Sequence, residues 1–448
     1  MIHDTNISND PPAQNKTTLI PFENSIHFAR SLDLSDPLKD FRDRFYFPLL
    51  NGKEVIYLTG NSLGLQPKST QDYILKELED WATFGVEGHF HSRMPWFSYQ
   101  DFLTEQIAML LGAKPVEVVA MNSLTTNLHL LLVSFYRPSK NRFKIICEYD
   151  AFPSDLYALQ SQAAYHGFNP EEAIITLKPR QGEYLLRDED ILNVINLHKD
   201  SLATVMLGAV NYYTGQYFDI KKISDAVHDA GATVGFNLAH AAGNVIIKLH
   251  EWNVDYACFC SYKYLNSGPG GVSGIFVHER FADDKSIPRF AGWWGNDPDT
   301  RFNMPRTFVP ARGARSWQLS NAPVLSMAAL KASLDIFSEA GIERIRNKSE
   351  KLTGYLEFIV NDINNKFFQN GKDAPVKIIS PASASQRGCQ LSFVINKEGK
   401  NLFNKITALG VISDWREPDV LRAAPVPLYN TFEDVFRFGQ IVEVSLSS

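Results

Sequence analysis

The sequence is short of three things. It has no apolar run near the ~20 residues that a membrane-spanning helix needs, so a membrane protein is not expected. It has four cysteines in 448 residues, too few and too scattered for a disulfide framework. No basic block interrupts a net charge of −6, which argues against nucleic acid as a partner. The polar opening MIHDTNISNDPPAQNKTT lacks the apolar core of a signal peptide and reads as a flexible lead over 1–20. A cytoplasmic protein is expected.

The cysteines Cys147, Cys258, Cys260 and Cys389 all sit in apolar, strand-like text. Cys258 and Cys260 alternate through Phe259 and share one face of a strand. No second ligand pair matches this C-x-C. Buried reduced thiols are therefore expected, with no metal.

What is present is ordinary globular composition, 44% apolar and 21% charged, in a chain too long for one core. Short runs that are apolar on both faces recur at KIICEY, ATVMLGAV, ATVGFNLA and YACFCSY. That pattern suits central parallel strands. Between the second and third runs, Ile223, Ala226, Val227 and Ala230 keep helical spacing until Gly231. This is a β-α-β unit, so an α/β fold with a parallel sheet is expected. Upstream, Ile74, Leu78 and Trp81 line one face of a predicted helix. Near residue 320 another helix is predicted, with Ser320 or Asn321 as its cap and Pro323 in its first turn. The expected division is a large domain over 21–325, including an N-terminal helical segment, and a small α+β domain over 326–448.

In an open parallel sheet, ligands collect at the carboxyl ends of the strands. The four loops expected there read DAFPSD, NYYTGQ, NLAHAAGN and KYLNSGPGG. They bring Asp155, Asn237, His240, Tyr262 and Lys263 together. Lys263 has two readings: a surface lysine at a strand end, or an enclosed amine whose lowered pKa suits a Schiff base. GPGGVSG lacks dinucleotide spacing and leads into a strand, so close backbone packing is its meaning. NSLTTNLHLLL is either a plain capped helix or a helix start that holds a phosphate.

Taken together, the SYK lysine, Asp155 and the phosphate-type helix start resemble a pyridoxal-phosphate enzyme of the aspartate-aminotransferase fold class. Within it the chain resembles the kynureninases. The similar text is YLTGNSLGLQPK, MNSLTTNLHLLL, AFPSD, YYTGQ, GFNLAHAAGN, CSYKYLNSGPGG, GWWG, LSNAP and RAAPVPLYN, running in order from about residue 55 to 430.

The resemblance implies a fold-type-I large domain, with a mostly parallel seven-stranded sheet between helices, and a smaller α+β domain. It implies that Lys263 carries the pyridoxal 5'-phosphate and that Phe152 stacks on its ring, in one turn with Pro153, Ser154 and Asp155. Leu124 and Thr125 would hold the phosphate, helped by Tyr262, which also stands as a proton relay. His240 would lie near the ring, and the residue at 237 against its pyridine nitrogen. Trp293 and Asn321 would reach the partner's site in a homodimer. Arg422 would grip the substrate's α-carboxylate, while Ser62 and His89 face its aromatic end. His89 with Asn321 resembles the pairing in members that prefer the 3-hydroxylated substrate.

The implied reaction is hydrolytic Cβ–Cγ cleavage of L-kynurenine or 3-hydroxy-L-kynurenine. It gives anthranilate or 3-hydroxyanthranilate plus L-alanine, in tryptophan degradation and NAD biosynthesis from tryptophan. Two departures stand out: Gly208 where the family has serine, and Asn237 where it has aspartate. Asn237 weakens the electron sink, so a cofactor-binding homologue with little turnover is the alternative. A cysteine desulfurase would need a nucleophilic cysteine on a mobile loop, and none of the four is so placed.

Overall fold

A computed structural model describes residues 21–369, 371, 374–396 and 398–447. The expected lead at 1–20 lies outside them.

The central sheet has seven strands: β1 (Val118–Ala120), β2 (Lys144–Glu148), β3 (Ile174–Leu177), β4 (Leu202–Gly208), β5 (Thr233–Asn237), β6 (Tyr256–Phe259) and β7 (Gly274–Val277). Their order is β1-β7-β6-β5-β4-β2-β3. The run from β6 to β3 is parallel throughout, and β7 is antiparallel to both its neighbours. The four apolar runs of the sequence are β2, β4, β5 and β6. Their residues are buried on both faces because helices cover both sides of the sheet.

Five helices matter for the site: α1 (Thr70–Phe84), α2 (Leu124–Phe135), α3 (Pro153–Tyr165), α4 (Ile220–Asp229) and α5 (Val324–Ala340). Helix α4 ends where Gly231 takes a φ of +70°, as the sequence pattern requires. One sequence reading needs correction. Helix α5 starts one turn later than expected, with Pro323 rather than Ser320 or Asn321 at its N-cap and no side chain capping it. Proline's fixed φ and missing N–H suit a helix start without a capping side chain. In α1 the apolar face is split: Ile74 packs against the core, Leu78 and Trp81 are exposed, and Glu77 and Asp80 are buried. Glu77 accepts hydrogen bonds from Trp96 Nε1 (2.9 Å) and the Tyr99 hydroxyl (3.0 Å), and Asp80 accepts from Arg93 N–H (2.9 Å). Polar partners on the inner face thus leave Leu78 and Trp81 to solvent.

A second, antiparallel sheet holds β8 (Val376–Ile378), β9 (Leu391–Ile395), β10 (Asp414–Arg416) and β11 (Val420–Ala423), in the order β8-β9-β11-β10. It has its own apolar core, shared with the helices Ile342–Gln369 and Phe432–Ser447 and with Ile26–Ser35. The core of the central sheet extends through α5 as far as Ile345.

One short segment touches both sheets. Ile56–Tyr57 pairs in parallel with Val411–Ile412, beside β10. Farther along, Gly64 N–H donates to the Tyr262 carbonyl (2.8 Å). A Cβ on Gly64 would lie 2.3 Å from the Lys263 carbonyl oxygen, so only glycine allows this approach.

Candidate active site

Four parallel strands end at one cavity of about 250 Å³. The β2 end delivers Glu148 and then α3 with Phe152, Ser154 and Asp155. The β4 end delivers Gly208 and Tyr212, the β5 end Asn237 and His240, and the β6 end Tyr262 and Lys263. Leu124 and Thr125 of α2 complete the wall. The structure therefore brings together the five residues that strand-end reasoning selected.

Helices α2 and α3 both start at the cavity. The Thr125 and Ser154 hydroxyls meet there at 2.8 Å. No side chain caps either start, so first-turn N–H groups and two helix dipoles point at the same place. This is the chemistry of a phosphate seat. Pro153 opens α3 but does not line the cavity.

Lys263 Nζ donates to His240 Nε2 at 3.0 Å. Burial pushes the Lys263 amine below its ordinary pKa, which favours the neutral, nucleophilic form. Burial, helped by the Lys263 charge, lowers His240 well below the usual imidazole value. His240 is thus a neutral acceptor at Nε2. Its Nδ1 is buried and has no partner. Tyr262 is pushed up by burial and keeps its hydroxyl proton. The Phe152 ring sits 5.8 Å from Lys263 Nζ and edge-on to Tyr212 at 5.5 Å.

Asn237 is held at both ends of its amide. Oδ1 accepts from Ala239 N–H (2.9 Å), and Nδ2 donates to Asp155 Oδ2 (2.6 Å). The other oxygen, Asp155 Oδ1, is buried without a partner. Burial pushes the Asp155 carboxyl up to about 6, against the pull of Asn237 and Lys263. A buried carboxylate oxygen without a donor and a buried imidazole N–H without an acceptor, in one cavity, mark partners that the chain itself does not supply. Hydroxyls and helix starts for a phosphate, an amine for a carbonyl and an acceptor for a ring N–H all fit pyridoxal phosphate.

Glu148 was not singled out from the sequence. A charge at the end of an otherwise apolar run, KIICE, was the available signal. It accepts Gly208 N–H at Oε1 (2.8 Å). A Cβ at 208 would lie 3.1 Å from that oxygen, so a serine here would crowd the carboxyl. Burial pushes Glu148 up to about 8. Glu148 and Asp155 both hold protons more tightly folded than unfolded. Their stabilising protonation is complete below the free values of 4.5 for Glu148 and 3.8 for Asp155 and is lost as pH rises through about 8 and about 6 respectively. The protein without added cofactor should lose stability over that range by up to about 1.4 kcal/mol per pH unit for each titrating group. Glu148→Gln should remove the part between about pH 6 and about pH 8. Parallel melting-temperature profiles for the two proteins would contradict this assignment.

The remaining expected residues lie outside the wall. Arg422 is fully buried behind it, and its Nη1 donates to the carbonyl of Tyr212 at 2.5 Å. His89 bonds the Val86 carbonyl through Nδ1 (2.9 Å) and packs edge-on against Trp96. Trp293 is 44% exposed and packs on Trp294 and Phe302. Asn321 is exposed and Ser62 partly buried. Within one chain, Trp293, Asn321 and His89 do not line the cavity.

A family model described as the kynureninase C-terminal domain matches residues 345–442. The kynureninase of Flavobacterium psychrophilum is 52% identical over 422 residues, 94% of this chain and 98% of that one. That of Myxococcus xanthus is 53% identical over 428 residues, 95% of this chain and 99% of that one. The chain belongs to the kynureninase family. The similarity extends to an animal kynureninase, from Nematostella vectensis, 47% identical over 95% of this chain and 94% of that one. Among solved structures, a cysteine desulfurase from Thermococcus onnurineus superposes with a TM-score of 0.71 at 18% identity, over 91% of this chain and 97% of that one. The Escherichia coli cysteine desulfurase CsdA gives 0.72 at 18% identity, over 92% of this chain and 98% of that one. These two share the fold, as the expected fold class required. The kynureninase relatives, not the desulfurases, set the family. All four cysteines are buried and free.

Proposed function

We propose that this kynureninase-family chain binds pyridoxal 5'-phosphate and hydrolyses the Cβ–Cγ bond of L-kynurenine or 3-hydroxy-L-kynurenine, releasing anthranilate or 3-hydroxyanthranilate and L-alanine. The observation that carries the reading is one cavity holding a pKa-lowered lysine amine, an unpaired carboxylate oxygen and two helix starts. When bound, the cofactor supplies the electron sink for bond changes at Cα and Cβ. The Lys263 amine would hold the cofactor and, when free, would take the substrate's α-proton. The high-pKa Tyr262 hydroxyl would keep a proton for delivery to Cβ. Phe152 would pack on the ring, while Leu124, Thr125 and Ser154 would hold the phosphate. Asp155 and Asn237 would serve the ring nitrogen, and His240 accepts from the lysine. Arg422 takes the α-carboxylate.

Incubation of the cofactor-loaded protein with each substrate should yield arylamine and alanine in equal amounts. No product from either would favour the second reading, a cofactor-binding homologue with little turnover, for which Asn237 is the motivating residue.

The assembly we propose is a homodimer with shared sites. No helix among the described residues is long and apolar enough to cross a membrane. The exposed Leu78 and Trp81 of α1 are the surface we assign to the dimer. Trp81 (61% exposed) and Leu325 (42%) flank an apolar groove of about 240 Å³ floored by Trp96 and Val324, with Asn321 beside it. A second copy seated here would bring Trp293 and Asn321 to the partner's site, with Ser62 and His89 facing the substrate's aromatic end. Trp81→Glu should weaken self-association about 100-fold, since losing a central tryptophan contact costs ~3 kcal/mol. Sedimentation should show monomer at concentrations where the parent is dimeric, and activity should fall with the dimer fraction. The free thiols suit a cytoplasmic location. For domain division, the expected join at 325 is best moved to Gly341, because α5 belongs to the first core.

A further inference from the structure

We propose that Arg416 is the second guanidinium of the substrate-carboxylate seat, a specificity-determining partner of Arg422. This rests on the reading that the ligand is an α-amino acid. Strand register builds the seat. Asp414 on β10 stands directly opposite Arg422 on β11, and Arg416 lies two residues along β10 from Asp414. Period-two alternation therefore sets all three side chains on one face of the sheet.

Asp414 Oδ1 lies 2.9 Å from Arg422 Nη2 and 3.1 Å from Arg416 Nε. Neither nitrogen is angled to make a directed hydrogen bond, and both are buried. Arg416 Nη2 also donates to Asp414 Oδ2 (3.2 Å), so one carboxylate is shared by two guanidiniums, leaving Arg422 Nη2 and Arg416 Nε without a directed hydrogen bond and the trio one positive charge in excess. A buried donor without an acceptor is costly, so such a pair marks a place for an acceptor from outside.

Arg422 is already engaged on two sides: Nη1 donates to the Tyr212 carbonyl (2.5 Å) and Nε to Asp414 (3.1 Å), so Nη2 is its nitrogen without a directed bond and Arg416 Nε stands beside the same carboxylate oxygen. Tyr212 lines the cavity, so the free donors lie behind the cavity wall. Both arginine charges reach Lys263 and His240, where each lowers the pKa. A ligand carboxylate lodged against Arg422 Nη2 and Arg416 Nε would satisfy both nitrogens and cancel the excess charge. The bland alternative is that Arg416 merely anchors Asp414 at the rim, where its side chain is 36% exposed.

The test uses the holoenzyme and the ligand pair L-alanine and ethylamine, which differ in the carboxylate and are read by the cofactor's absorbance. In Arg416→Gln, L-alanine should bind about 10- to 100-fold more weakly, with ethylamine unchanged. KM for L-kynurenine should rise by a similar factor while kcat holds. Arg416→Lys, which keeps the charge but not the fork, should recover part of the loss. Equal weakening of both ligands, or no change for L-alanine, overturns the proposal. If Arg416→Gln does not fold, unchanged L-alanine binding in Arg416→Lys overturns it, and a selective loss supports it. A parent protein that makes no arylamine defeats the proposed reaction instead, because the carboxylate comparison is read on binding alone.

Discussion

Lys263→Ala should reduce turnover by at least about 10³-fold, the scale of losing a positioned acid–base group together with covalent attachment. The amine that His240 accepts from, its pKa lowered by burial, is, among the described residues of the cavity wall, the one primary amine able to join a carbonyl and then take a proton. The variant should still take up cofactor, because the phosphate seat at Thr125 and Ser154 does not involve Lys263. Borohydride treatment followed by mass spectrometry separates attachment from binding. The parent should gain the mass of a reduced cofactor adduct and the variant should not. Turnover within tenfold of the parent would rule out the assigned role.

Asn237→Asp should raise kcat about 10- to 200-fold, the equivalent of exchanging a neutral hydrogen bond for a charge-assisted one at ~1.5–3 kcal/mol. The geometry adds a condition. A carboxylate at 237 would sit where Asn237 Nδ2 now donates to Asp155 at 2.6 Å. Two carboxylates so close cannot both ionise without a proton or a cation between them. The gain should therefore depend on bound cofactor, whose protonated ring nitrogen separates the two charges. Without cofactor the variant's carboxyl pair should hold a proton beyond the range of Asp155 alone, and stability should fall more steeply as pH rises above about 6. An unchanged kcat would show that Asp155, through its free Oδ1, already supplies the charge.

The parts of the site that were legible in the sequence share a cause. Residues at the ends of apolar parallel strands are placed by the sheet itself, so finding β2, β4, β5 and β6 located Asp155, Asn237, His240 and Lys263. The departure at 237 was also visible as a letter, but the amide's pinning between Ala239 and Asp155 was not. Arg422 and Arg416 lie some 160 residues beyond β6 on another sheet, and only register across β10 and β11 relates them. Nothing local marks such a pair. The direction in which the apolar face of α1 points was not legible for a different reason. Periodicity shows that a helix has an apolar side, not which surface that side meets. The start of α5 was missed because a proline can open a helix where a capping side chain was sought.

The segment running from Ile56 to Gly64 has a mechanical consequence. At one end it is stitched to the strand that leads into Asp414, and Ala424, two residues past Arg422, donates its N–H to Leu58 (2.8 Å). At the other end Gly64 grips the Tyr262 carbonyl beside the reactive lysine. The span between guanidinium and amine is therefore set by a strap of less than ten residues rather than by the whole breadth of two sheets. Any recoil of the proposed carboxylate clamp must pull on the lysine loop, so the ruler that would measure an α-amino acid is built from neither of the elements proposed to touch it.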